Sequence, residues 1–234
     1  LSQARSRVPL CIVRINPLST PEYGADLETV ICAGLDMINL PKVESGADIL
    51  ALCADLDRLE QARGIACPIG ILANIETPKG VRLAAEIACS HPRVTGLQLG
   101  FGDLFEPLGI DPAVALNKTV LRLTIRLAAA EAGIPLYDGA YPTVGDPDGF
   151  RAEALDARAS GLAGKSCIHP SQIETANEVF FPTPIEITRA REIVTAASAR
   201  FGEGMGAFAL DGVMIDGPYV DRARAVLALS EAAR

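Results

Sequence analysis

The chain has 234 residues, of which 49% are apolar and 21% charged, and its formal charge is −8. That composition suits a globular protein with an ordinary core. It argues against a nucleic-acid partner, because phosphate binding needs a cationic stripe and the basic residues here are scattered among acids. No apolar run reaches the length of a membrane span, and no signal-peptide layout opens the chain.

In chain order, "VPLCIVRIN" from Val8 is an apolar strand ending in Arg14, and Thr20-Pro21 opens a helix to Cys32. "MINLPKVES" is a second strand, stopped by Pro41, with Lys42 and Glu44 just beyond and Ser45 capping a helix to Gln61. The stretch 69–103 organises the rest. Its apolar runs 69–75 and 94–99 each stop at a carboxylate, Glu76 and Asp103. Between them Thr77 is a cap, Pro78 fits a first turn, and Val81, Ala84, Ala85 and Ala88 share one helical face. A helix over 112–132, with Leu121, Ile125 and Ala128 or Ala129 as its apolar stripe, closes at Gly133. A short strand then stops at Asp138, Asp146-Pro147 caps another helix, and "GLAGKSCIHPSQ" is a last strand ending in His169. Thr183-Pro184-Ile185-Glu186 is a capping box for a helix to about Arg200, and "GMGAFALDGVMIDGP" is a hairpin leading to a terminal helix.

Strand-like runs alternating with helices predict a parallel α/β sheet or barrel. The polar residues at the trailing strand ends then converge on one rim, where such folds place their sites. They are Arg14, Lys42 with Glu44, Glu76, Asp103, Asp138 and His169. A doubly wound sheet is the weaker reading, since neither a G-x-G-x-x-G nor a Walker motif is present. A complete barrel has eight βα units, so two units have no counterpart here.

Glu76 and Asp103 follow consecutive strands and can share a divalent ion. Hard oxygen donors with no adjacent His or Cys favour Mg²⁺. Either acid alone would serve equally well as a helix-dipole complement. Arg14 needs an anion, which a structural ion pair or a substrate would supply. Lys42 and Glu44 are expected to pair with each other or with neighbours. Asp138 before Gly139 is expected to be a turn residue, and His169 and His91, each before a proline, are expected to sit in turns. The six cysteines, Cys11, Cys32, Cys53, Cys67, Cys89 and Cys167, lack any C-x-x-C spacing and are read as buried reduced thiols of a cytoplasmic protein. Periodicity gives Asp216, before Gly217-Pro218, only a dipole role.

In this order, "VRINP", "LPKVES", "IETPKG", "GFGDL", "GKSCIHPSQI", "FFPTPIEITRAREIV" and "DGVMIDGP" resemble the citrate lyase β-subunit (CitE-like) branch of the HpcH/HpaI aldolase family over nearly the whole chain. The resemblance implies a TIM (βα)8-type barrel lacking its first two βα units. Residues 1–180 would form the barrel, as strands 3 to 8 of the family pattern. Residues 181–234 would be a C-terminal extension packing on a neighbouring subunit of a homo-oligomer, commonly a trimer. It also implies a Mg²⁺-dependent carbon–carbon lyase. The substrate would be a β-hydroxyacyl thioester of CoA or an acyl carrier protein, and the products an acetyl-type thioester and an α-keto acid. By resemblance Glu76 and Asp103 are the metal ligands, Arg14 binds substrate oxygens together with Lys42 and Glu76, and Asp216 becomes the catalytic base.

Two departures bear on activity. The family's "G-A-E-D-L" is here Gly100-Phe101-Gly102-Asp103-Leu104, which replaces an acid beside the metal ligand with glycine and brings in a ring. The absent opening strands leave two sheet edges to be covered. A pyruvate-type class II aldolase acting on free keto acids, and a catalytically degraded thioester-binding subunit, are the competing readings.

Overall fold

The computed structural model describes residues 10–202 and 206–232. The chain forms two compact units, Leu1–Ala176 and Asn177–Arg234. No described helix is long and apolar enough to cross a membrane.

The first unit alternates strand and helix: β1 (Ile12–Arg14), α1 (Tyr23–Val30), β2 (Met37–Leu40), α2 (Gly46–Arg63), β3 (Gly70–Ile75), α3 (Pro78–Arg82), α4 (Ala84–Cys89), β4 (Val94–Leu99), α5 (Phe101–Phe105), α6 (Ala115–Glu131), β5 (Leu136–Asp138), α7 (Pro147–Ala159) and β6 (Gly164–Lys165). The helix α8 (Ile173–Phe180) carries the chain across the division. All six strands are parallel, and each pairs with its sequence neighbour in the order β1-β2-β3-β4-β5-β6. This is the order of a barrel wall. A doubly wound sheet reverses direction partway, and this one does not. Strands β1 and β6 are its two edges, of three and two residues, so little unpaired ladder is presented at either.

Local chemistry explains the boundaries. Ser45 and Asp48 form the capping box of α2, and the Thr77 hydroxyl accepts the Gly80 N–H at 3.0 Å. The helix expected after Thr77 breaks at Leu83, whose φ of −106° and ψ of 14° leave the helical region, giving α3 and α4. Helix α6 begins at Ala115 instead of 112, and buries the expected Leu121, Ile125 and Ala129. The last strand is much shorter than expected. His169 lies beyond it and accepts the Ser171 N–H at 3.2 Å in a 3-10 turn, while His91 accepts the Arg93 N–H at 3.1 Å. Of the six cysteines, all free thiols, Cys53 alone is buried; Cys67, Cys89 and Cys167 are exposed, because they fall at helix ends and loops, outside the apolar faces.

Asp138 is not a turn residue. It is fully buried at the end of β5, where Arg122 grips both its oxygens at 2.9 Å and Lys165 Nζ donates to Oδ2 at 2.7 Å. Lys165 also donates to Glu153 Oε1 at 2.6 Å, and Lys118 donates to Glu153 Oε2. A strand-end carboxylate facing two cations from α6 and β6 is compelled into an ion cluster, since an unpaired buried charge costs several kcal/mol.

The second unit has its own core. Ala190, Ile193, Ala197, Ile215, Val220 and Ala223 join α9 (Pro184–Gly202), β8 (Val213–Asp216) and α10 (Gly217–Ala232), and the partly buried Phe208 and Leu210 pack β7 (Ala207–Leu210) against them. Thr183 and Glu186 cap α9 reciprocally. The hairpin turns through Asp211 and Gly212, at φ of 51° and 78°, the pairing that two-residue primed turns need.

Burial pushes the Glu153 carboxyl up, but Lys165 and Lys118 outweigh it and hold the group below its ordinary value of 4.5. A lowered carboxyl stabilises the fold above the unfolded value and loses that contribution as pH falls through the folded one. Glu153→Gln should therefore destabilise the protein by about 3 to 5 kcal/mol at pH 7. In urea denaturation followed from pH 7 downward, the gap to the parent chain should close below pH 4.5.

Candidate active site

Glu76 follows β3 by one residue and is 2% exposed, so its charge is almost wholly removed from water. Its surroundings compensate in part. The Lys42 backbone N–H donates to Oε1 at 2.9 Å, and Arg14 Nη2 approaches the same oxygen at 3.6 Å. Lys42 makes that bond with φ at 53°, a left-handed conformation unusual for a residue with a side chain. The turn after β2 thus holds a strained backbone to aim one amide at the carboxylate.

Asp103 does not end a strand. It lies within α5, one turn of helix that begins directly after Gly100. Its Oδ1 accepts Lys42 Nζ at 2.9 Å, and both side chains are about half exposed, 48% and 44%, so the pair is readily displaced. Lys42 does not pair with Glu44, which turns away to Lys79 at 3.6 Å. Lys42 therefore touches both acids, Glu76 through its amide and Asp103 through its ammonium. Gly100 allows the approach: a Cβ there would collide with Glu76 Oε2 and sit 2.5 Å from Glu76 Cβ. At Gly102 a Cβ would meet nothing within 4 Å, whereas Phe101 is buried, packs on Phe105 at 5.5 Å and leaves no room for a Cβ at Gly139.

Arg14, Glu76 and Asp103 line one cavity of about 530 Å³, together with Asn74, Gln98, Phe101, Lys118, Tyr141 and Ser166. Below the acids the strands carry a polar layer. Asn39 Nδ2 donates to Gln98 Oε1 at 2.6 Å, and Gln98 Nε2 donates to Ser166 Oγ. Oδ1 of Asn39 and of Asn74 are buried without a hydrogen-bond partner among the described residues. Asn74 stands two residues before Glu76, hence on the same face of β3, and pairs in register with Gln98. These polar residues inside apolar runs, and the cluster of Lys118, Arg122, Glu153 and Lys165, do not emerge from a reading of strand ends. The period-two spacing from Asn74 to Glu76 is the signal that could have found the first of them.

Burial raises the Glu76 carboxyl above its ordinary value of 4.5 and Asp103 adds to the rise, while Arg14 and the Lys42 amide oppose it. Two hard carboxylates at one cavity, one of them under-compensated, are a donor set that suits a divalent cation. Among the described residues no group of three or more His, Cys, Asp or Glu side chains is arranged around a metal position. Two acids leave coordination positions for water or a bound acid.

Asp216 closes β8 in the second unit. Its Oδ1 is buried and has no hydrogen-bond partner among the described residues.

Residues 3–170 match the model of the HpcH/HpaI aldolase/citrate lyase family. The chain belongs to that family. Within this enzyme family of lyases and aldolases, the citrate lyase subunit beta of Escherichia coli (strain K12) is 38% identical over 223 residues, covering 94% of this chain and 74% of the relative. A (3S)-malyl-CoA thioesterase of Cereibacter sphaeroides (strain ATCC 17029 / ATH 2.4.9) is 37% identical with the same coverage. Among solved structures, protein CitE from Mycobacterium tuberculosis in complex with magnesium, acetoacetate and coenzyme A superposes with a TM-score of 0.74 at 30% identity, covering 94% of this chain and 78% of that one.

A carboxyl whose value is raised on folding costs stability as pH rises above its unfolded value. In the absence of divalent ions at pH 7, Glu76→Gln should therefore melt at a higher temperature than the parent chain, as measured by calorimetry. A lower melting temperature would show that Arg14 and Lys42 overcompensate the buried charge.

Proposed function

We propose that this chain is a Mg²⁺-dependent carbon–carbon lyase that cleaves or forms a β-hydroxyacyl thioester, citryl- or malyl-like, with an acetyl-type thioester and an α-keto acid as the other side of the reaction. The observation that carries the reading is the pairing of Glu76 and Asp103 on one cavity, joined through Lys42 and faced by Arg14. Glu76 and Asp103 would hold the ion, and the Lys42 ammonium on Asp103 is the cation it would displace. When bound, Mg²⁺ supplies Lewis acidity toward the oxygens of the keto acid. The magnesium and coenzyme A held by the mycobacterial CitE, and the malyl-CoA on which the Cereibacter thioesterase acts, support a thioester substrate.

The chain's own residues then divide the work. Arg14, its side chain 56% exposed at the cavity, gives a guanidinium to the carboxylate of the keto acid and to charge that develops on oxygen. Lys42, freed from Asp103, adds a second cation. Asp216, with a buried oxygen that has no partner among the described residues, is the base. In cleavage it takes the β-hydroxyl proton, the C–C bond breaks, and the electron pair passes to the thioester as an enolate that is then protonated. In synthesis it takes a proton from the thioester methyl group. We place Asp216 at the cavity of a neighbouring copy in a homo-oligomer, a trimer in our reading, with residues 181–234 as the arm that delivers it.

Calorimetric titration with Mg²⁺, followed by thioester cleavage assays, tests this. Glu76→Gln and Asp103→Asn should each weaken Mg²⁺ binding by more than about tenfold, while Asp216→Asn should leave it unchanged and lower turnover by about 10² to 10⁴. Turnover of free keto acids without any thioester would favour an aldolase instead, and binding without turnover a degraded subunit.

A further inference from the structure

Among the described residues, the buried ion cluster behind the cavity is not electrically balanced. It contains three cations, Lys118, Arg122 and Lys165, against two carboxylates, Asp138 and Glu153. Lys165, with a side chain 0% exposed, directs its three N–H donors to Asp138, Glu153 and the Gly139 carbonyl. Arg122, 1% exposed, is held two-pronged by Asp138 and lies 3.9 Å from Glu153. Their charges are met inside the protein. Lys118 is different: Glu153 is its acceptor among the described residues, its side chain keeps 15% exposure, and it is the member of the cluster that lines the cavity. An ammonium carries three donors, so among the described residues surplus charge and spare N–H groups of the cluster reach the cavity at Lys118.

The wall around Lys118 favours an anion there. Its Nζ lies 5.7 Å from the centroid of the buried Phe101 ring, and Pro112, Ala113 and Pro142 also line the cavity, so a charge drawn to Lys118 meets less competing water than on an open surface. Glu106, the further carboxylate on the lining, is exposed and forms no ion pair with Lys118 among the described residues.

We infer that Lys118 is a specificity-determining residue whose ammonium recognises a second carboxylate, so that the cavity prefers dicarboxylic to monocarboxylic keto acids. This rests on the keto-acid reading above and adds to it the residue that senses the far end of the substrate. Arg14 and the two acids read the keto-acid end, which every such substrate shares; Lys118 reads what distinguishes one from another.

The test is calorimetric titration, in the presence of Mg²⁺, with oxaloacetate and with 2-oxobutanoate, which has the same four-carbon chain without the second carboxylate. The parent chain should bind oxaloacetate at least about tenfold more tightly, the scale of one charge-assisted hydrogen bond. Lys118→Met should lose about tenfold for oxaloacetate and change little for 2-oxobutanoate, and Lys118→Arg should keep the preference. Equal binding of the two acids by the parent chain, or parallel losses in Lys118→Met, would overturn the inference. Equal binding by the parent chain overturns the inference even where Lys118→Met does not fold, and Lys118→Gln then supplies the variant comparison. Failure of both acids to bind the parent chain would instead count against the keto-acid reading itself.

Discussion

A carboxylate placed almost wholly out of water without full compensation is the constraint on which the first unit is built. The Glu76 carboxyl is compensated in part because the turn after β2 bends into a left-handed conformation to offer an amide, and because β1 ends in a guanidinium. The first costs backbone strain, and both sit on neighbouring strands of one parallel wall. The remaining destabilisation is of the kind a divalent cation relieves, which links the energetics of the fold to the chemistry proposed for it.

The second electrostatic device lies on the opposite flank. Asp138, Glu153, Arg122 and Lys165 tie β5, α7, α6 and β6 together where the strands are shortest, two and three residues, and where backbone pairing alone is least able to hold the wall. Buried ion pairs are weak contributors to net stability but severe when broken, so their effect is to fix one arrangement. That arrangement sets the position of Phe101, over whose ring Lys118 and Arg122 both lie, and thereby the start of the helix that bears Asp103.

Much of this is legible in the chain itself. The caps Ser45, Thr77, Asp146 and Thr183 are local chemistry, and each begins the expected helix. Apolar strand runs followed by polar residues point to Arg14, Glu76 and Asp103, which the fold gathers around one cavity, and to Lys42, which touches both acids. Non-local features are opaque. No periodicity pairs Asp138 with Arg122 or Lys165, since these meet only when separate βα units stand side by side. Asp103 reads as a strand-end residue because a single helical turn, Phe101–Phe105, is too short to leave a periodic trace. The exposed cysteines read as buried because apolar neighbours in sequence do not fix which way a helix end faces.

The junction after β4 limits how this cavity can be retuned. Position 100 is closed to any side chain by Glu76 itself, while position 102 opens on empty space and position 101 already fills the gap against Gly139. Evolution or protein engineering can therefore explore new substrates through 102 while the geometry of the acids stays pinned. Adaptability and rigidity occupy adjacent residues of a single strand-to-helix junction.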